Sequence, residues 1–435
     1  MSDIKDILKR IIVENQNRRD DNLIGRDLKI ERIPKKATVV LGVRRCGKTS
    51  LLVEYLSSLV KDGLDRTCVC HIDFSDDRLL GINTSGGPGV VADAYYELYP
   101  ENHEKKVYYL FDEIDRLDNW ENLVNRLMNT EKCEVNITGS SSSLLLNETS
   151  TVMGGRKMGW ELFSYSYGEF LRAKGINADN QYDRLFRDSQ TGLFGEYLET
   201  GGFPEALLFS KPESRRIFHQ NTANDIVYRD IVLRHSVSKP EALKILINVL
   251  FSSMGCMVTE TKLYQRLAGM RVNISKPTMS EYIGYAVDSF AFFLVPIRSY
   301  NLSVRAVNGK KLYACDHALA AAVSNLTQDN IGQKLENIVF LHIRRMTDLV
   351  FYYRTKSGYE VDFAYGSDSS ITLVQVSAVL GSVETENREK RSLFEAMEEL
   401  ELQESTIVTL DEEKEITENG KTIHILPAWK YLLFS

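Results

Sequence analysis

In the first part of the chain, short continuous apolar runs alternate with stretches of helical spacing, the sign of a parallel sheet covered by helices. Residues 37–41 (ATVVL), 68–74 (CVCHIDF), 107–111 (VYYLF) and 135–138 (VNIT) predict four buried strands, and residues 157–162 a fifth. After the first run come a Gly-bounded turn and a helix that puts Leu51, Leu52, Tyr55, Leu56 and Leu59 on one face. Residues 81–89 (GINTSGGPG) are rich in turn formers and predict a surface loop. From about 170 to 235 helical periodicity replaces the strand pattern and predicts a lid-like helical region, with residues 201–206 (GGFPEA) as a turn entering a helix.

Residues 240–300 read as three short helices followed by a strand pair, and that order resembles a winged helix. Pro277 suits the first turn of the third helix, where a missing N–H costs nothing. From 311 onward the pattern is mixed again: a helix over 332–345, strands near 350–354, 360–365 and 372–376, and a charged helix over 388–400. The expected divisions are 1–170 for a sheet core with an N-terminal helix, 171–238 for the lid, 239–310 for the winged-helix segment and 311–435 for the last domain.

Length and composition fit this organisation. At roughly 150 residues per domain, 435 residues make about three domains, and 43% hydrophobic with 26% charged residues is ordinary for folded chains. With 53 basic against 60 acidic residues the formal charge is −7, which confines any nucleic-acid contact to one face. The six cysteines are scattered without a disulfide or zinc spacing, and the opening MSDIKDILKR lacks an apolar signal core, so a cytoplasmic protein with no membrane segment is expected.

The strongest chemical signal is residues 42–49 (GVRRCGKT), which satisfy G-x-x-x-x-G-K-[ST] between a buried strand and an amphipathic helix. Gly42, Arg45, Cys46, Gly47, Lys48, Thr49 and Ser50 form the expected ATP-binding loop, with Lys48 on the β/γ-phosphates and Thr49 on Mg²⁺. The strand at 107–111 ends in Asp112 and Glu113, at the edge where a parallel sheet binds ligands. Asp112 is the candidate second Mg²⁺ ligand and Glu113 the group that polarises the attacking water, so ATP hydrolysis is expected. Ser140, after the fourth strand, is the candidate γ-phosphate sensor, with capping of the next helix as the plain alternative. Arg156 is the candidate arginine finger, acting within its own chain or in a neighbouring copy; the second arrangement requires a homo-oligomer.

GVRRCGKTSLL, YLFDEID, ITGSSSSLL followed by GR, SYSYGEF, GGFPEAL and YRDI together resemble the prokaryotic, especially archaeal, AAA-superfamily P-loop ATPases joined to a C-terminal domain of unknown function. The resemblance continues through KLEN, EVDF, VQVS and the closing PAWKYLL. It implies an α/β chain with a P-loop AAA-type parallel sheet core, a helical lid, a winged-helix domain and a C-terminal domain with a restriction-endonuclease-like fold.

Active nucleases of that fold combine a helix Glu, a strand Asp and a following (D/E)-x-K, because carboxylates assemble Mg²⁺ and the lysine orients water. Glu336 matches the helix acid and Asp362 the strand acid, with Glu360 two residues earlier on the same strand face. Gln375 and Ser377 stand where Glu and Lys are expected, so the nuclease-like site reads as degenerate, and Lys390 is the candidate for a migrated lysine.

In the winged-helix segment Lys262, Arg266, Arg271 and Lys276 could meet phosphates, while Glu260, Glu281 and Asp288 dilute the field. DNA contact and a purely protein-contacting wing are both compatible with that mixture. Phe290, Phe292 and Phe293 lie in an apolar run and read as core. The leading expectation is a Mg²⁺-dependent ATPase whose nucleotide state controls the winged-helix and nuclease-like domains on DNA. The alternatives are a slow nucleotide-dependent switch or scaffold for protein partners, and an ATP-regulated DNA nuclease.

Overall fold

The computed structural model describes residues 2–18, 23–146, 153–178, 184–324, 330–367 and 370–434, which divide into two compact units, Met1–Leu162 and Phe163–Ser435. The first unit carries a five-stranded sheet of β1 (Ala37–Leu41), β2 (Val69–Asp73), β3 (Val107–Asp112), β4 (Cys133–Gly139) and β5 (Lys157–Glu161), in the order β2-β3-β4-β1-β5. Every pairing is parallel. β1 is buried at all its positions, which is why its sequence shows no polar alternation. The insertion of β4 between β1 and β3 brings its C-terminal end between those of its two neighbours.

The helices of this unit are α1 (Ser2–Asn17), α2 (Lys48–Lys61), α3 (Ile82–Ser85), α4 (Gly89–Leu98), α5 (Trp120–Thr130) and α6 (Ser143–Leu146). α1 buries Ile4, Leu8, Ile11 and Ile12, a helical stripe whose side chains contribute about 1.5–3 kcal/mol each. At its end the Asn15 and Gln16 amides donate to the carbonyls of His71 and Val69 at 2.9 and 2.7 Å, fastening it to β2. Residues 81–89 are not the expected loop. They hold α3 and the start of α4, because Ile82 and Val90 bury their side chains despite the turn formers around them.

The second unit begins with α7 (Tyr167–Ala173), α8 (Arg184–Thr200), α9 (Pro212–Asp225), a π-helical stretch at Ile226–Val232 and α10 (Leu233–His235). Tyr167, Phe170, Phe194 and Tyr197 of α7 and α8 share one buried cluster with Leu335, Phe340, Phe363, Val374 and Trp429. The expected lid at 171–238 is therefore corrected in its first part: aromatic side chains at helical spacing make α7 and α8 core of the second unit. Gly201 has φ 76, and a Cβ there would lie 2.6 Å from Asp316 Oδ1, which explains the glycine pair of GGFPEA. Asp316 accepts from the backbone N–H groups of Gly202, Ala318 and Leu319.

Next come α11 (Pro240–Phe251), β6 (Met257–Val258), α12 (Glu260–Gly269), α13 (Lys276–Asp288), β7 (Phe292–Val295), α14 (Leu302–Val307) and β8 (Lys310–Ala314). The three strands form an antiparallel sheet in the order β6-β8-β7, so the segment expected to end at 310 is completed only at Ala314. Phe292 is buried, and Phe293 packs against Phe163 and Phe340.

After α15 (His317–Ser324), the chain forms α16 (Ile331–Met346), β9 (Val350–Arg354), β10 (Glu360–Tyr365), β11 (Thr372–Val376), α17 (Val383–Glu399), β12 (Glu404–Thr409), β13 (Lys414–Glu418), β14 (Lys421–Pro427) and α18 (Ala428–Phe434). The sheet order is β13-β14-β12-β11-β10-β9. β9, β10 and β11 are antiparallel neighbours, while β11, β12 and β14 run parallel. Among the described residues no helix is long and apolar enough to cross a membrane.

Candidate functional site

Residues 42–47 turn from β1 into α2 through a backbone that favours glycine at its first and last positions. Gly47 caps α2 in the left-handed region, at φ 103, where a side chain would be strained. At Gly42 a Cβ would come within 2.1 Å of the Leu162 carbonyl oxygen. Cys46 is buried beneath the turn, and burial pushes its thiol pKa up against the opposing charge of Lys48. Arg45 also takes a positive φ of 67, and the exposed Ser50 follows in the first turn of α2. Lys48 is buried, and its Nζ donates to the carbonyls of Gly42 and Val43 at 3.0 and 3.3 Å.

The carboxylate end of β3 meets this loop directly. Thr49 Oγ1 donates to Asp112 Oδ2, and Thr138 Oγ1, from β4, donates to Asp112 Oδ1. Burial pushes the Asp112 carboxyl up to about 6; the two hydroxyls oppose that shift, and the charges of Glu113 and Asp73 add to it. Asp73 is the register partner of Asp112 on β2, a neighbour that the sequence analysis did not single out. Its signal was the acidic residue near the end of CVCHIDF, at the same sheet edge.

Glu113 leaves the strand in the left-handed region, at φ 49, and that turn aims it back at the loop. Its Oε1 lies 3.6 Å from Lys48 Nζ, its Oε2 accepts from Ser140 Oγ at 3.5 Å, and its backbone N–H donates to Thr138 Oγ1 at 3.1 Å. Lys48, Thr49, Asp112, Glu113 and Ser140 thus come together from three strand ends.

Arg156 does not join them. Its carbonyl accepts from the Ala37 N–H, and β5 then runs in register with β1 from Lys157 beside Ala37 to Glu161 beside Leu41. A strand rising about 3.3 Å per residue thus separates Arg156 from the loop of its own chain. Its Nη1 instead donates to the Asn125 and Asn129 side chains at 2.8 and 2.7 Å. The reading of Arg156 as a finger within its own subunit is corrected by that placement.

In the second unit, Glu336 from α16 and Glu360 and Asp362 from β10 converge, but on a residue that sequence reasoning missed. Lys311 Nζ is 2.6 Å from Asp362 Oδ1, 3.1 Å from Glu336 Oε1 and 3.2 Å from Glu360 Oε1. Tyr313, two residues along β8, donates its hydroxyl to Glu336 Oε1 at 2.7 Å. The signal was the period-two alignment of Lys311 with Tyr313 on a short strand, KKLYA.

Gln375 lies beside the cluster, accepting from the Asp362 N–H at 3.0 Å and donating to Glu389 Oε2 at 2.7 Å. Ser377 Oγ donates to the Val379 carbonyl at 3.2 Å. Lys390 pairs with Glu386 on its own helix at 3.5 Å, so the lysine at the carboxylates is Lys311 and not Lys390.

Comparison with known proteins divides the chain consistently with this geometry. Residues 34–171 match the family model of an AAA domain, which assigns the first sheet and its loop to nucleotide-binding ATPases of that type. Residues 191–330 and 331–431 match two domains of unknown function, DUF8612 and DUF4143. The uncharacterized protein MJ1544 of Methanocaldococcus jannaschii is 30% identical over 448 residues, covering 100% of this chain and 96% of that protein. An uncharacterized protein of Haemophilus influenzae is 29% identical over 344 residues, covering 78% and 82%. Among solved structures, the Aeropyrum pernix ORC1 protein in complex with DNA shares 12% identity at a TM-score of 0.27, covering 74% of this chain and 91% of that one; no residue is matched on that likeness.

Proposed function

We propose that this chain, which belongs to the same family as the uncharacterized protein MJ1544 of Methanocaldococcus jannaschii, is an ATP-hydrolysing switch. The observation that carries this reading is the hydrogen bond from Thr49 to Asp112 beside Lys48 and Glu113. A hydroxyl and a buried carboxylate set side by side are the oxygen donors that Mg²⁺ prefers, so the residues fit that ion. When bound, Mg²⁺ supplies charge neutralisation on the β- and γ-phosphates. The backbone N–H groups of residues 42–48 and the N-terminus of α2 cradle the phosphates, and Lys48 balances their charge. Glu113 accepts a hydrogen bond from the attacking water and orients it, while Ser140 fixes the Glu113 carboxylate and lies where a γ-phosphate would be sensed. Arg156 contributes to phosphate chemistry only in a neighbouring copy, as a finger in trans.

For the second unit we read residues 240–314 as a winged helix that touches DNA. The order helix, strand, two helices and then two strands joined through the short α14, with the last strand central in the sheet, supports it, and Lys262, Arg271 and Lys276 are exposed there. Arg266 is less available, since its guanidinium donates to Ser252 and Ser253. α16, three antiparallel strands, α17 and a parallel strand support a nuclease-like fold for the last domain.

The test is Glu113→Gln, measured by equilibrium ATP binding and by phosphate release with and without single-stranded, duplex and junction DNA. Binding within about twofold of wild type and hydrolysis slower by roughly 100-fold are expected, with DNA stimulating the wild type. Wild-type turnover in the variant would remove Glu113 from the mechanism, and indifference to every DNA would remove the DNA contact.

A further inference from the structure

The Lys311 side chain is only 5% exposed, and it is carried on the central strand of the three-stranded sheet. An ammonium has three N–H donors, and here each has a carboxylate within 3.2 Å: Asp362, Glu336 and Glu360. A hard divalent cation held by the same oxygens would sit about 2.0–2.6 Å from each, in the space the nitrogen fills. Placing both there would set two cations at about contact distance in a poorly hydrated site.

The charges present also come within one of balance without a metal. Arg354 Nη2 adds a second cation 3.4 Å from Glu360 Oε2, so Lys311 and Arg354 face three carboxylates, one of which also takes the Tyr313 hydroxyl. A single proton on the cluster makes it neutral.

We infer that the Lys311 ammonium is the resident cation of this cluster, in the place a divalent ion would need. It thereby fastens β8 and its sheet to α16 and β10. The carboxylates serve as an ion-pair lock within the second unit, and phosphodiester cleavage that depends on a metal at these residues is not available to the wild-type chain. The cluster makes the same demand whatever the nucleotide site does, so a failure of ATP hydrolysis leaves it standing.

Mn²⁺ binding to the nucleotide-free full-length chain, followed by the electron paramagnetic resonance of free Mn²⁺, tests this. Wild type and Asp362→Asn should give superimposable isotherms. Lys311→Met should gain one site at least about tenfold tighter than any in the wild type, and the Lys311→Met/Asp362→Asn pair should lose it. Circular dichroism and the urea-unfolding transition report whether each variant is folded. A wild-type site that Asp362→Asn abolishes overturns the inference, and so does a folded Lys311→Met chain that gains none. Should Lys311→Met fail to fold, the comparison of wild type with Asp362→Asn decides it alone.

Discussion

Asp112 and Asp362 both stand on sheet strands, both are buried, and each accepts a hydrogen bond on both oxygens. Their partners differ in charge. Asp112 is held by the hydroxyls of Thr49 and Thr138, which are neutral, and burial keeps its carboxyl up to about 6. Asp362 is held by the Lys311 ammonium and the Val376 N–H, so a cation from the chain itself compensates it. A carboxylate surrounded by neutral donors gains from an arriving cation, whereas one already paired with a buried ammonium does not. The same residue type on a sheet strand therefore suits a cation-binding site in the first unit and an internal fastening in the second.

Removing the internal cation is the largest way to break this comparison. Lys311→Met leaves buried carboxylates uncompensated and should cost about 3 kcal/mol in urea unfolding, with ATP binding retained. Millimolar Mn²⁺ should return part of the loss by binding the folded form. A cost below about 0.5 kcal/mol would mean that the cluster behaves as a surface pair and that the contrast with Asp112 is false. Asp112→Asn should act in the opposite direction. With folded Asp112 raised to about 6, ionising it at higher pH costs folding energy, so the neutral amide should stabilise the nucleotide-free chain by about 1 kcal/mol. ATP turnover should fall roughly 100-fold in the same variant. A destabilised Asp112→Asn would show that the hydroxyls compensate the charge fully.

These two sites were not equally legible in the sequence. The proposed nucleotide site was readable because its parts are local: Gly42 to Thr49 follow one another between a strand and a helix, and Asp112 and Glu113 end one apolar run. Four strands of the first sheet announced themselves as continuous apolar runs, since a strand covered on both faces has no alternation, whereas β5 (KMGWE) is only partly buried and carries no such run. The carboxylate cluster was half readable, with Glu336, Glu360 and Asp362 proposed together but Lys311 overlooked. Lys311 reaches them from a strand of another sheet, and no spacing along the chain encodes that meeting. The helical region at 171–238 was legible as helix, but its packing was hidden for a related reason. Helical periodicity in α7 and α8 identifies a buried face without saying what covers it, and Phe340 and Trp429, which share that core, are far away in sequence. Arg156 followed the right strand order but the wrong end of β5, a distinction that parallel register settles and composition does not.

The smallest expected effect sharpens the contrast through pH. Glu336 is held above its ordinary value of 4.5, first by burial and then by the charge of Asp362, with Lys311 and Tyr313 opposing. Both hydrogen bonds from those two residues fall on Oε1, which leaves Oε2 to carry a proton. Because the folded chain then keeps that proton at a pH where the unfolded chain has released it, stability falls as pH rises above the ordinary carboxylate value. The fall stops once the folded group ionises as well. Glu336→Gln keeps an oxygen for Lys311 and Tyr313 and removes the titration, so its stability relative to wild type should improve by about 1 kcal/mol between roughly pH 5 and pH 8. Urea unfolding of both chains at the two pH values measures this directly. A pH-independent difference would mean that Lys311 compensates all three carboxylates in their charged form, and the lock would then need no proton to close.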